Sequence, residues 1–236
     1  MPANLSIHGK LLICMVGRHR GDELVEITKA AGARGATIAL GRTMNDNRLL
    51  QALSLADVYQ DVVFTILGAE TDEVLNALVS AAYESPKKLG GMALLLDVAE
   101  IFVRGTAREN SAEADMAFSR SKEMQSGYDL ITVIVNYGFA DDVMAIARKA
   151  GARGGTVLNA RGTGTEDDVK FFGISLVPEK EMLFIVAEKA KVQEILDAVN
   201  SIPNLCKPGG GIVFNMELDE FIVLGKEQER LMRPQD

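Results

Sequence analysis

The residues best suited to chemistry in this chain of 236 are a short glycine loop, Lys207-Pro208-Gly209-Gly210-Gly211. Successive glycines let backbone N–H groups converge on an anion, and a neighbouring lysine adds charge. The same residues also suit a permissive turn between a helix and a strand, and one glycine triplet does not separate the two. A second glycine stretch, Arg161-Gly162-Thr163-Gly164, runs into Glu166, Asp167 and Asp168. Three acids could offer oxygen ligands to a cation, but a solvated loop explains them as well. Arg34 and Arg153 stand where helical patterns end, a place that favours cations; contact with a phosphate is the alternative. His8 and His19 lack the Ser, Cys or carboxylate pairing that nucleophilic catalysis needs. Cys14 lies inside an apolar run and reads as a buried small side chain, whereas Cys206 lies in a loop-like stretch. With no phosphate-binding loop, triad or metal motif, the chain reads as a non-enzyme.

These positions sit in a frame that occurs twice. Ala31-Gly32-Ala33-Arg34-Gly35 returns as Ala150-Gly151-Ala152-Arg153-Gly154, 119 positions later. Thr37 and Thr156 follow at the same offset, and then Ile38 and Val157. A period near half the chain length predicts a duplicated domain. The expected division is a first copy over 10–105, a linker over 106–127 and a second copy over 128–225.

Composition narrows the class. Hydrophobic residues make up 47% and charged residues 25%, ordinary for a globular protein. The net charge of −8 disfavours nucleic acid as a partner, because phosphate binding wants a basic stripe. No run reaches the roughly 18–20 apolar residues of a membrane helix, and Met1 to Lys10 has no apolar signal core. The expectation is a soluble, cytoplasmic protein.

In the first copy, Leu11 to Val16 reads as a buried strand. Gly21-Asp22 starts a helix with Leu24, Ile27, Thr28 and Ala31 on one face, and Gly32 stops it in the left-handed conformation. Ala36 to Leu40 is the next strand. Leu49, Leu50 and Leu53 could form a short helix or strand. Val62 to Leu67 is a strand, Thr71-Asp72-Glu73 caps a helix with Leu75, Leu78, Val79 and Ala82 inward, and Ser85 to Gly91 is a loop. Met92 to Leu96 is a strand, and Ile101 to Val103 a short addition. The second copy repeats the order, with strands at Leu130–Val135, Thr156–Leu158, Met182–Val186 and Ile212–Phe214. Its helices carry Val143, Ile146, Ala147 and Ala150, then Val192, Ile195, Leu196 and Val199. The order predicts an α+β fold of two ferredoxin-like βαββαβ domains, each an antiparallel sheet with helices on one face. The other face is apolar and needs a cover.

With both copies laid out, the chain resembles a tandem member of the nitrogen-regulatory PII family. The resemblance rests on Gly-Ala-Arg-Gly leading into strand two and Arg161-Gly162-Thr163-Gly164 opening the family's T-loop. Pro178 before strand three and the Lys207–Gly211 loop, similar to the family's B-loop, complete it. It implies a PII-like regulator that binds an adenine nucleotide (AMP, ADP or ATP) or another small anionic effector at clefts between domains. It also implies a homo-oligomer, a trimer of tandem chains, controlling a membrane transporter or an enzyme. The effector-binding residues it implies are Thr156, Gly162, Gly164, Lys207, Gly209, Gly210 and Gly211. Several family cations are replaced: Thr165 and Glu166 follow the T-loop glycines, Glu179 follows Pro178, and Ile212 follows the B-loop. Ile222, Val223 and Leu224 occupy the last strand, while the first copy keeps Lys87, Lys88 and Arg104. Fewer cations favour AMP or ADP over ATP. Two other readings share the frame: a structural module without nucleotide, and a CutA-like metal-responsive protein.

Overall fold

The computed structural model describes residues 6–44, 58–102, 126–162, 170–171, 174–175, 179–203, 205, 207 and 210–225. Leu49, Leu50, Leu53, Arg104, residues 106–125, Thr163 to Asp168, Pro178, Cys206, Gly209 and the tail beyond Gly225 lie outside them. The chain divides into two compact units. The first holds residues 1–39, 60–127 and 217–236, and the second holds 40–59 and 128–216. Each unit thus draws on both halves of the sequence, a division that periodicity alone did not anticipate.

The first unit is built from β1 (Ser6–Gly17), α1 (Gly21–Ala30), the beginning of β2 (Ala36–Met44), β3 (Val58–Leu67), α2 (Thr71–Glu84), the single-turn α3 (Pro86–Leu89) and β4 (Gly91–Phe102). Its strands run in the order β2, β3, β1, β4, and a further strand follows beyond β4. β1 is the centre, antiparallel to β3 from Lys10↔Leu67 to Gly17↔Gln60 and to β4 from Ser6↔Phe102 to Val16↔Gly91. A shift between Ile7 and Gly9 lets β4 run on to Phe102. That is why the two strands expected at Met92 and Ile101 are one. Alternation puts Leu12, Cys14, Val16, Val63, Leu67, Ala93 and Leu95 against Leu24, Val74, Leu75, Leu78 and Ala82 of the helices. Thr71 is the first residue of α2 rather than its cap, and its hydroxyl donates to the Gly68 carbonyl at 2.7 Å.

The second unit is built from β5 (Tyr128–Asn136), α4 (Ala140–Lys149), β6 (Gly155–Arg161), β9 (Glu179–Glu188), α5 (Lys189–Asn200) and β10 (Gly211–Glu217). A small pair, β7 (Lys170–Phe171) and β8 (Ile174–Ser175), lies between β6 and β9 in the sequence. The main strands run in the order β10, β5, β9, β6. Gly41–Met44 of β2 then pairs along the outer side of β6, from Gly41↔Leu158 to Met44↔Gly155. Conversely, β11 (Glu220–Leu224) pairs with β4 of the first unit, from Glu220↔Leu95 to Leu224↔Gly91. Ile131, Val133, Val135, Val157, Leu183 and Ile185 face the helices and meet Val143, Met144, Ala147, Val192, Ile195 and Val199.

Both expected stop signals are present. Gly32 and Gly151 take φ of 109° and 104°. The N–H of Ala33 reaches the Thr28 carbonyl at 2.9 Å, and that of Ala152 reaches Ala147 at 3.0 Å. Gly32 and Gly151 also donate, to Lys29 and Arg148, each at 3.0 Å. Paired bonds of this kind close a helix end with its last carbonyls satisfied.

Parts of the sheet faces turned away from the helices are also buried, although Ile66, Ile212 and Phe214 are exposed. Ile13, Met15, Val62 and Leu94 are buried in the first unit, and Leu130, Thr132, Leu158 and Phe184 in the second. One polar group sits poorly on the helix side. Thr65 is fully buried opposite Leu12, and its hydroxyl has no hydrogen-bond partner among the described residues. The matching pair in the second unit, Ile131↔Ile185, is aliphatic. A buried hydroxyl without a partner forfeits its hydration. Thr65→Val is therefore expected to raise the unfolding free energy by about 1 kcal/mol, read from urea melts.

Candidate effector site

One end of the second unit's sheet collects the loops that could hold a ligand. β5 leaves at Asn136 and β9 enters at Glu179, with Asn136↔Lys180 and Arg161↔Glu179 in register. β6 therefore delivers Gly162 to this end. β10 starts at Gly211, where the backbone lies against the Ile134 carbonyl. The Gly210 N–H donates to the Lys207 carbonyl at 2.9 Å, so the described part of the loop is a closed turn with an exposed Lys207. Gly162, Gly210 and Gly211 are thus brought to one end of the sheet; Gly164 and Gly209 lie outside the described residues. Thr156 is elsewhere. It is buried near the other end of β6, paired with Phe184 and Thr43. Five residues of strand set it roughly 17 Å from Arg161.

The first unit has its counterpart end, where Val16 pairs with Gly91. There the β1–α1 turn carries Arg18, His19 and Arg20, and α3 carries the exposed Lys87 and Lys88. Cations are denser here than around Lys207. Arg20 is engaged with Glu23 at 3.3 Å. His19 takes a left-handed φ of 64° where the second unit has Gly138 at 90°.

The best-defined polar centre was not visible as a motif. Glu181 of β9 is 4% exposed, and its Oε2 accepts from the N–H groups of Gly138 at 2.9 Å and Ala140 at 3.0 Å. It caps α4 from another strand, in a helix whose own cap position is Phe139. Arg42 completes the group: Nη2 lies 3.6 Å from Glu181 Oε1, and the guanidinium donates twice to Asp141, at 3.2 and 3.3 Å. The first unit repeats the device, with Asp61 Oδ2 accepting from the Gly21 N–H at 2.8 Å. Asp61 pairs with Val16 and Glu181 with Val135, corresponding places in the two halves. The signal in the sequence was a carboxylate standing just ahead of the corresponding expected strand in each half, Asp61 before Val62 and Glu181 before Met182.

A second polar pair of positions is reversed in charge. Lys10 is buried in β1 and donates to Asp219 Oδ2 at 2.8 Å and to Asp97 Oδ1 at 3.3 Å. Burial pushes the Asp219 carboxyl above the usual carboxylate range, and the Lys10 ammonium opposes the shift. The counterpart of Lys10, 119 positions on, is the buried Asp129, which accepts from Asn215 Nδ2 at 2.9 Å. Arg153 pairs with Glu188 at 2.8 Å in an exposed bridge, and Arg34 is exposed at the end of α1. Cys14 is buried, and desolvation raises its thiol to about 12, so it is inert at neutral pH. No helix among the described residues is long and apolar enough to cross a membrane.

The architecture defined by these elements is α+β, with helices on one face of antiparallel sheets. Within it, residues 128–228 match the family model described as Nitrogen regulatory protein P-II. No curated protein matches the chain. Among solved structures, the chain is similar to an anthrone oxidase-like protein at 10% identity, covering 92% of this chain and 94% of that one, with a TM-score of 0.26. It is also similar to a mutant chlorite dismutase from Candidatus Nitrospira defluvii at 11% identity, covering 90% and 91%, with a TM-score of 0.23. Likenesses this slight carry no argument about activity.

Proposed function

We propose that the chain is a tandem PII-like regulator: two ferredoxin-like βαββαβ units, non-enzymatic and cytoplasmic, responding to a small anionic effector of the adenine nucleotide class. The observation that carries the reading is the P-II match over 128–228, in which Gly162 at the end of β6 and Gly211 at the start of β10 lie at the same end of the sheet. Two further facts support the duplication. The strand order β10-β5-β9-β6 is the ferredoxin-like one, and β4-β1-β3-β2 repeats it. The carboxylate caps from Asp61 and Glu181 coincide as well. The effector would bind beside Gly162 and so alter contact with a transporter or enzyme, which requires only that it bind one state of the protein more tightly than another. A trimer of chains, as the resemblance implies, is part of the same proposal.

Calorimetric titration of the whole chain with AMP, ADP and ATP tests this. Heat is expected with AMP or ADP, and weaker binding with ATP. Lys207→Ala or the pair Lys87→Ala and Lys88→Ala should lower affinity about tenfold, identifying the unit that binds; the figure reflects one lost charge-assisted contact. No heat with any of the three at high protein concentration overturns the effector reading. A structural module is the second reading, and a specific observation favours it. In each unit the start of the first helix is already occupied by the protein's own carboxylate, Asp61 at α1 and Glu181 at α4. Ile212 and Leu224 also stand where family members carry cations.

A further inference from the structure

We infer that the outer edge of β11, with the groove between it and α2, is a docking surface for an extended acidic segment of a partner protein, which adds a strand to the first unit's sheet. The inference goes beyond the effector reading and holds whether or not a nucleotide binds. Its occupant is a different protein rather than a second copy, so the proposed trimer of chains is unaffected.

β11 is the outermost strand beyond β4, and among the described residues no strand follows it. Its sequence, Glu-Phe-Ile-Val-Leu, contains no lysine, arginine or proline, residues that discourage strand addition at a sheet edge. Ile222 and Leu224 pair with Ala93 and Gly91 and turn to the helix side, where Ala93 packs on the core. Val223 points to the opposite face and is 38% exposed. An added strand would therefore find an apolar neighbour on each face.

On the helix side a shallow groove runs between β11 and α2. It is lined by Val79, Ala82 and Tyr83 of the helix and by Ile222 to Gly225 of the strand. Val79 and Tyr83 lie one turn apart, in one row. Tyr83 is 63% exposed, an aromatic ring left open beside an open edge. An edge strand bordered by a helix is a geometry in which an extended peptide binds through its main chain and places alternate side chains in a pocket.

Charge decides the chemistry of the occupant. α3 closes one end of the groove: a Cβ on Gly225 would come within 3.1 Å of Pro86, and one on Gly90 would lie 3.9 Å from the Leu224 carbonyl. Lys87 and Lys88 stand between these two contacts, are exposed, and make no ion pair or hydrogen bond among the described residues. In a chain of net charge −8, two unengaged cations beside an apolar groove favour an acidic ligand. Glu84 lies about 140° round α2 from Val79, on the far side of the helix. Glu220 stands at the other end of β11, opposite Leu95, so the acids belong at one end of the bound segment and not at both.

Fluorescence anisotropy of the whole chain with two labelled peptides tests the inference. They are Asp-Glu-Val-Thr-Leu-Thr and its reverse, which set the acids at either end of an extended segment. At least one is expected to bind, and lysines in place of its acids should weaken binding roughly tenfold or more. Lys87→Glu combined with Lys88→Glu should weaken it by a similar factor, and so should Tyr83→Ser. All three side chains are exposed, so the variants should keep the wild-type melting point. N-methylation of alternate peptide amides should abolish binding in one set and spare it in the other, because only one edge of an added strand bonds to β11. Benzoylphenylalanine in place of Tyr83 should photocrosslink to the peptide. No binding by either peptide, indifference to the lysines or to Tyr83, or equal effects of the two methylation patterns each overturns the inference. So does a crosslink to a second chain, or to residues 226–236 of the same chain, which gives the groove to another occupant. Competitive displacement of the peptide by AMP, ADP or ATP overturns it as well, since the groove is then the effector's. Peptide binding beside a failed nucleotide titration leaves it standing and removes the effector reading alone.

Discussion

Glu181→Ala is expected to lower the unfolding free energy by about 3 kcal/mol. The carboxylate is buried, accepts two backbone N–H groups at the start of α4, and faces Arg42. Removing it leaves the Ala140 N–H without its acceptor in a buried setting. It also leaves the first turn of α4 without its cap. Arg42 retains its two bonds to Asp141, which keeps the loss at the lower end of the range for broken buried pairs. Asp61→Ala removes one N–H contact and should cost about 1 kcal/mol. The ratio between the two is the informative quantity, measured by urea unfolding of both variants. Equal losses would mean that Glu181 acts as an ordinary cap and that Arg42 adds nothing.

The second large effect concerns glycines that look like a phosphate cradle. A Cβ on Gly211 would strike the Leu205 side chain and come within 2.8 Å of the Ile134 carbonyl. A Cβ on Gly91 would run into the Met15 carbonyl. Backbone cannot swing aside as a side-chain tip can, so Gly91→Ala and Gly211→Ala should each cost about 3 kcal/mol. The losses should appear in thermal melts without any ligand present. Gly35→Ala, with open space around its Cβ, is the control and should change little. If Gly211→Ala is as stable as the wild type, the close approach is not what this glycine provides, and an anion-holding role gains ground.

The local elements were legible because their signals are local. Leu24 and Thr28 predicted the inward face of α1, and Gly32 its stop, and all three are placed as read. The face of α4 was read with Ile146, yet Met144 is the fully buried residue and Ile146 only packs at its margin. At about 100° per residue the two lie roughly 200° apart, on opposite flanks of the Val143–Ala147 stripe, and the packing around the helix decides which flank is covered. Nothing local could place Gly41–Met44 on β6 or Glu220–Leu224 on β4. Pairing partners far apart in sequence are chosen by the assembled sheet. Glu181 was missed for a related reason. An acid just ahead of an expected strand, as Glu181 is before Met182, reads as solvent-facing until the strand is known to start earlier and a helix start to lie beside it. In the candidate site, Gly162, Gly211 and Thr156 were all carried by resemblance; strand order places the two glycines at one end of the sheet, while Thr156 is buried well along β6.

The exchange of end strands has a consequence for synthesis. The first unit has everything but β11 once β4 leaves the ribosome, and its outer edge stays bare until Leu224 has been made. Likewise Gly41–Met44 is produced early and must wait for β6. A nascent chain of this protein therefore spends much of its elongation with unmatched hydrogen-bonding edges. Completion of both units is a late, nearly simultaneous event, so a prematurely terminated product would be a candidate for chaperone capture rather than a functional half.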